Sequence, residues 1–146
     1  MWHTGKYSYQ LDSKNRMRLP ASTREDYGEE FYVSADIRGS LLVRHKDDMG
    51  VLCDKLATAS MADWESTDAI MWFHERSFCV KQDEQGRFVL PQVLKDYAKI
   101  DKNVYIIGMP RGWSIWSEEA YENRNNPCEE HKVFEEIATK LRPYGV

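Results

Sequence analysis

Two kinds of hydrophobic spacing run through this chain, a period of two over short stretches and a period of three to four over longer ones. Residues 5–11 (Gly-Lys-Tyr-Ser-Tyr-Gln-Leu) alternate in part and are rich in β-formers, which predicts a strand. Asp12-Ser13-Lys14-Asn15 interrupts it with turn formers. Arg16–Leu19 then resumes the alternation, with Met17 and Leu19 toward a core and Arg16 and Arg18 outward. Pro20 suits the first turn of a helix, and Ala21–Tyr27 is about two turns long. Strands at Phe31–Ala35 and Ser40–Arg44 follow, on either side of a turn that carries Arg38-Gly39. The order is β-β-α-β-β.

That order comes twice. Asp12-Ser-Lys-Asn-Arg16-Met-Arg-Leu-Pro20 recurs 71 residues later as Asp83-Glu-Gln-Gly-Arg87-Phe-Val-Leu-Pro91. With a shift of 73, Tyr32-Val33 corresponds to Tyr105-Ile106, Arg38-Gly39 to Arg111-Gly112, and Leu41-Leu42-Val43 to Ser114-Ile115-Trp116. A loop after the short helix absorbs the two-residue difference. Self-similarity at a fixed separation marks repeated structural units. The second copy predicts an inward Phe88 and Leu90, an outward Arg87 and Val89, a helix over Gln92–Lys99, and strands at Val104–Met109 and Trp113–Ser117. Asn15 and Gly86 hold the same place in the two turns. Both residue types tolerate the left-handed backbone that a tight hairpin demands.

The longer period appears between and after the copies. Lys46–Ala59 spaces Met49, Leu52, Cys53 and Leu56 as one helical face, and Met61–Ser77 does so with Trp64, Ile70 and Phe73, with Met71 beside them. Glu129–Leu141 collects Val133, Phe134, Ile137 and Leu141 on one side, entered through Asn123–Pro127. Such a stripe either docks onto its own domain or serves an oligomer surface. The expected organisation is an α+β protein with a first repeat at 5–47, a helical spacer at 48–75, a second repeat at 76–119 and a C-terminal helix at 128–142.

Composition narrows the class. At 42% hydrophobic and 30% charged, the 146 residues read as globular rather than disordered. No apolar run approaches the roughly 18–20 residues that span a bilayer, and Met1-Trp2-His3-Thr4-Gly5-Lys6 lacks the apolar region of a secretory signal. Cys53, Cys79 and Cys128 are odd in number and form no CxxC pair, as expected of reduced thiols in a cytoplasmic protein. The net charge of −4 argues against a nucleic-acid partner if taken alone. Its distribution argues otherwise. Residues 5–24 hold Lys6, Lys14, Arg16, Arg18 and Arg24 against Asp12 alone, whereas residues 117–146 hold seven Glu against four cations.

Candidate chemistry is sparse. Cys128-x-x-His131 and the pair His74/Cys79 fall short of the four paired ligands of a structural zinc site. There is no G-x-S-x-G, H-E-x-x-H, P-loop or Gly-rich dinucleotide turn, so neither an enzyme nor a cofactor is expected. The aromatic residues invite a base-stacking role, but Trp64, Trp72, Trp113 and Trp116 stand at spacings suited to core.

A hairpin carrying D-x-K-x-R and followed by an apolar-Pro helix start, given twice with a helical spacer, resembles the MraZ family of bacterial transcriptional regulators. These are built of two tandem SpoVT-AbrB motifs. The resemblance runs from about Trp2 to about Tyr121 and rests on the pairs Asp12/Arg16 and Asp83/Arg87. Asn15 stands where the family's first motif usually has Gly, Glu84-Gln85 dilutes the charge of the second hairpin, and the tail beyond about residue 123 does not match the family's common core. The resemblance implies swapped-hairpin repeats forming one small β-barrel, assembly into a ring, and binding to direct repeats in the promoter of the division and cell-wall gene cluster. Its implied partners are double-stranded DNA and further copies of the chain, with no membrane, cofactor or small-molecule substrate. The implied location is cytoplasmic and nucleoid-associated. Lys14, Arg16 and Arg87 are the positions carried over.

The chemistry of these residues agrees. Outward Arg and Lys on a β-hairpin suit a major groove, where Arg makes bidentate contacts with guanine and Lys meets phosphate or a single acceptor. The expected DNA-binding set is Lys14, Arg16, Arg18 and Arg87, with Asp12, Asn15, Asp83 and Gly86 bracing the turns. The plainer reading makes Arg16 and Arg87 structural partners of Asp12 and Asp83, and Lys6, Arg18 and Arg24 solvated charges. Two rivals to a DNA-binding regulator are an oligomeric interaction protein of the same fold that has lost DNA binding, and an antitoxin-like protein that binds a toxin through its tail.

Overall fold

Each copy of the repeat folds as β-β-α-β-β, and the two copies exchange strands. The structure is a computed structural model of the 146-residue chain and describes residues 2–59 and 63–145. The first copy comprises β1 (Lys6–Gln10), β2 (Arg16–Arg18), α1 (Ala21–Tyr27), β3 (Glu30–Ala35) and β4 (Leu41–His45). Two spacer helices, α2 (Lys46–Leu56) and α3 (Trp64–Glu75), lead to β5 (Ser77–Lys81), β6 (Arg87–Val89), α4 (Gln92–Tyr97), β7 (Asn103–Met109) and β8 (Gly112–Ser117). The chain closes with α5 (Glu118–Glu122) and α6 (Glu129–Leu141). It is a mixed α+β fold.

Six strands form one antiparallel sheet in the order β1-β7-β8-β4-β3-β5, while β2 and β6 pair only with each other. The limbs of each hairpin therefore do not ladder together, contrary to what the alternating pattern suggests. β1 lies against β7 of the other copy (Tyr7↔Ile106), and β5 lies against β3 (Phe31↔Val80). The physical reason is burial. Met17 and Phe88 are fully enclosed, so β2 and β6 turn away from their own first strands and lay one face on the core. Periodicity marks which residues are strand and which face is apolar, but it does not name the partner strand.

The core lies between the sheet and this ribbon. Phe88 meets Phe31 edge-on at 5.0 Å, and Met17, Leu19, Leu41, Leu90 and Ile115 fill the space around them. Each such side chain stabilises the fold by about 1.5–3 kcal/mol. Pro20 and Pro91 cap α1 and α4 instead of lying inside them, and their carbonyls accept the N–H groups of Thr23 and Leu94 at 3.0 Å. α4 stops at Tyr97 because Lys99 takes a left-handed φ of 53°.

The helices outside the repeats depart further from expectation. α3 is capped by Asp63, whose carboxylate accepts from the Ser66 hydroxyl at 2.7 Å, and the expected helix start at Met61 lies outside the described residues. Trp64 is 71% exposed, not core. Nine residues separate it from Phe73, two and a half helical turns, so the two face opposite ways. The buried face of α3 runs through Ser66, Ala69 and Phe73. In α6 the buried residues are His131, Phe134 and Leu141, while Val133, about a quarter-turn from Phe134, is 42% exposed. α6 docks on its own chain, over the 37–39 turn and α3. Arg38 and Gly39 both have positive φ there, and a side chain at Gly39 would overlap the His131 ring. Lys140 and Glu65 pair at 2.8 Å across the α3–α6 seam. α5, which the pattern does not reveal, is capped by Ser117 accepting from the Ala120 N–H. Among the described residues no helix is long and apolar enough to cross a membrane.

Candidate nucleic-acid interface

Both hairpin tips are held by one aspartate each. Asp12 Oδ1 accepts the backbone N–H groups of Lys14 (2.9 Å) and Arg16 (3.0 Å), and Oδ2 accepts Nε–H of Arg16 at 2.7 Å. Asp83 repeats the pattern with Gln85 (2.9 Å), Arg87 (2.9 Å) and Arg87 Nε (3.0 Å). The turns close through Asn15 N–H to Asp12 C=O and Gly86 N–H to Asp83 C=O, with φ of 58° at Asn15 and 76° at Gly86. Donation to the charged carboxylate favours its ionised form. The Arg16 backbone N–H is the foremost of these and helps hold Asp12 at about 2; Asp83 is likewise lowered, first by the Arg87 N–H.

Each arginine spends Nε on its aspartate and keeps its terminal Nη groups clear of that contact. Both side chains are about a quarter exposed, at 27% and 26%. In the β2–β6 ribbon Arg16 stands opposite Val89, Met17 opposite Phe88 and Arg18 opposite Arg87. Directly opposed residues share a face. With Met17 and Phe88 buried, the outer face carries Arg16, Arg18, Arg87 and Val89 from the two copies together. Opposed like charges, as at Arg18 and Arg87, weaken a strand pair taken by itself. No carboxylate pairs with Arg18 among the described residues, and its Nε is buried without a partner.

Two further cations cross between copies. Lys95 of α4 donates from Nζ to Asn15 Oδ1 at 2.8 Å, at the first hairpin. Arg24 of α1 lies against Gly86 of the second, close enough that a side chain there would meet it. Positions 24 and 95 are separated by the same 71 residues as the two turns. Lys95 is not among the expected site residues; the spacing pairs it with Arg24, but only the strand exchange brings either to the opposite hairpin. Lys14 is exposed at the first tip, as are Glu84 and Gln85 at the second. Lys6 is elsewhere, its ammonium 4.2 Å from the Tyr105 ring and 4.3 Å from Tyr121. His131 hydrogen-bonds the Tyr97 carbonyl through Nε2 and is buried, and no group of three potential metal ligands occurs among the described residues.

Residues 75–141 match the model of the family described as "MraZ protein, putative antitoxin-like". The match passes residue 123, so the tail belongs to the shared family chain, which corrects the expectation that it lies outside it. The protein named transcriptional regulator MraZ from Clostridium botulinum (strain Alaska E43) is 34% identical over 142 residues, covering 97% of this chain and 98% of its own. Its namesake from Mycoplasmopsis pulmonis is 33% identical over 142 residues, covering 97% and 96%. That of Carboxydothermus hydrogenoformans is 34% identical over 137 residues, 94% of each chain. With identity of this order along nearly the whole length of several relatives, the chain belongs to the MraZ family.

Proposed function

We propose that this protein is a sequence-specific, DNA-binding transcriptional regulator that reads promoter direct repeats of the division and cell-wall gene cluster as a ring-shaped homo-oligomer. The observation that carries the reading is the outer face of the β2–β6 ribbon, where Arg16, Arg18 and Arg87 stand together. A ribbon that sets two arginines opposite each other is less stable alone than beside a polyanion. Arg16 and Arg87 are held at Nε by Asp12 and Asp83, so their remaining donors are pre-aimed for guanine edges. Lys14 at the first tip supplies a phosphate contact.

The repeats at 5–47 and 76–119 act as AbrB-like units whose exchanged strands enclose a single barrel-like core. The spacer at 48–75 and the helix at 128–142 lie outside them. One subunit offers only a handful of phosphate-facing cations and binds weakly at physiological salt. A ring presenting the same face to consecutive repeats recovers affinity through effective concentration. The protein works at the nucleoid and carries no catalytic role.

Fluorescence anisotropy tests this reading, with duplex DNA from upstream of the protein's own gene against a scrambled duplex, over several salt concentrations. The expected result is preferential binding to the promoter duplex that weakens steeply with salt. Equal, weak binding to both duplexes would overturn the reading and favour an oligomeric interaction protein of the same fold.

A further inference from the structure

The outer face of the ribbon is built by two equivalent halves, yet it is not symmetric. Arg16 and Arg87 are equivalents, and so are Arg18 and Val89. At that second pair one half carries a guanidinium and the other an apolar side chain, 55% exposed, directly opposite Arg16. Val89 is the one residue of the face without a hydrogen-bonding group. Resting on the DNA-reading role proposed above, we propose that Val89 is a specificity-determining residue that packs against the 5-methyl group of a thymine beside the base pair read by Arg16.

The geometry supports this through distance. Directly opposed residues have Cβ atoms about 4.5–5.5 Å apart, while successive base pairs rise about 3.4 Å. A ribbon lying in the major groove with Arg16 on a guanine therefore brings Val89 to a neighbouring base pair. The thymine methyl is the apolar feature of the major-groove code, and valine has no donor or acceptor with which to read anything else there. The long Arg18 at the equivalent place reaches polar edges or phosphate instead. The two halves thus read different bases, and the face accepts a non-palindromic site in one orientation only.

The experiment uses the full-length protein and a duplex selected by it from a random library. Each thymine of the selected site is replaced singly by deoxyuridine, which removes only the methyl group, and affinity is read by anisotropy for wild type and Val89→Ala. One replacement is expected to weaken wild-type binding about threefold to fourfold, the scale of one buried methyl, and to leave Val89→Ala unchanged within error. Val89→Arg, selected afresh, is expected to exchange that thymine for guanine. Circular dichroism establishes that both variants are folded, as expected for an exposed position.

The inference is overturned if wild type selects a site and Arg16→Ala loses it, yet no thymine-to-uracil change matters, or the same change matters equally in Val89→Ala. The second of these outcomes would mean that a residue other than Val89 reads the methyl group. If wild type selects no sequence at all, the DNA-reading role itself falls, and this inference with it.

Discussion

The two hairpins are one device carrying different charge. In each, a single aspartate takes two backbone N–H groups on one oxygen and an arginine Nε on the other, and the residue before the arginine has positive φ. The bracing uses the aspartate, the arginine and backbone alone. Positions 14 and 85, and 18 and 89, are consequently free to differ. From Asp12 to Arg18 three cations stand against one acid; from Asp83 to Val89 Arg87 alone stands against two. Architecture and surface chemistry are thus separable here, and duplication of the first leaves the second free to diverge.

Removing the two arginines tests that difference hardest. On the proposed DNA-reading role, a bidentate arginine–guanine contact contributes about 1–3 kcal/mol, and the proposed ring would repeat it at each subunit. Arg16→Ala is expected to weaken promoter binding about 30-fold or more, and Arg87→Ala at most about tenfold, as read by anisotropy. Equal losses would mean that the charge difference between hairpins is not used. A smaller effect comes from giving the second hairpin the first one's charge. Glu84→Ser with Gln85→Lys is expected to raise affinity several-fold at low salt and to steepen the plot of log K against log salt by about one, the signature of one added phosphate contact.

The turns also differ in how they reach positive φ. Gly86→Ala forces a side chain into that region and is expected to destabilise the protein by about 1 kcal/mol, lowering Tm by about 3–5 °C. Gly86→Asn imports the first turn's solution and is expected to lower Tm by less than half as much, since Asn adopts left-handed backbone more readily than Ala. Calorimetric melting of both variants checks this. Equal losses would show that the Arg24 side chain packed over Gly86, and not the backbone, sets the requirement.

Much of this architecture is legible in the sequence, because repetition and alternation are local signals. The β-β-α-β-β order, the positive φ at Asn15 and Gly86, and the burial of Met17, Leu19, Phe88 and Leu90 follow from turn chemistry and a period of two. Strand exchange does not, since alternation leaves the partner unspecified and the pairing of β1 with β7 spans about a hundred residues. Nor does the reach of Arg24 and Lys95 into the opposite copy, which follows from that exchange. Trp64 misleads for a different reason. An aromatic residue near a helix start looks like core until its angle to Phe73 is worked out.

The smallest effect separates scaffold from contact. An aspartate in an unfolded chain titrates near 3.9, while Asp12 in the folded hairpin titrates at about 2 and Asp83 is also lowered. A carboxyl group depressed on folding contributes stability that is fully present above roughly pH 4 and is lost as pH falls through the folded value. The first turn therefore weakens between about pH 4 and 2, the second weakens as pH falls below about 4, and both are unaffected near neutrality. The foremost contribution at Asp12 is the backbone N–H of residue 16, which any non-proline residue supplies. In Arg16→Ala the Asp12 carboxyl, followed by side-chain carbon NMR, is thus expected to keep a midpoint well below 3.9, and the Asp83 carboxyl in Arg87→Ala is expected to stay lowered. A return to the unfolded value would mean that the guanidinium holds the turn, and the DNA-binding loss in Arg16→Ala would then include a broken hairpin. A retained low midpoint leaves the turn intact, and the whole loss belongs to the missing contact.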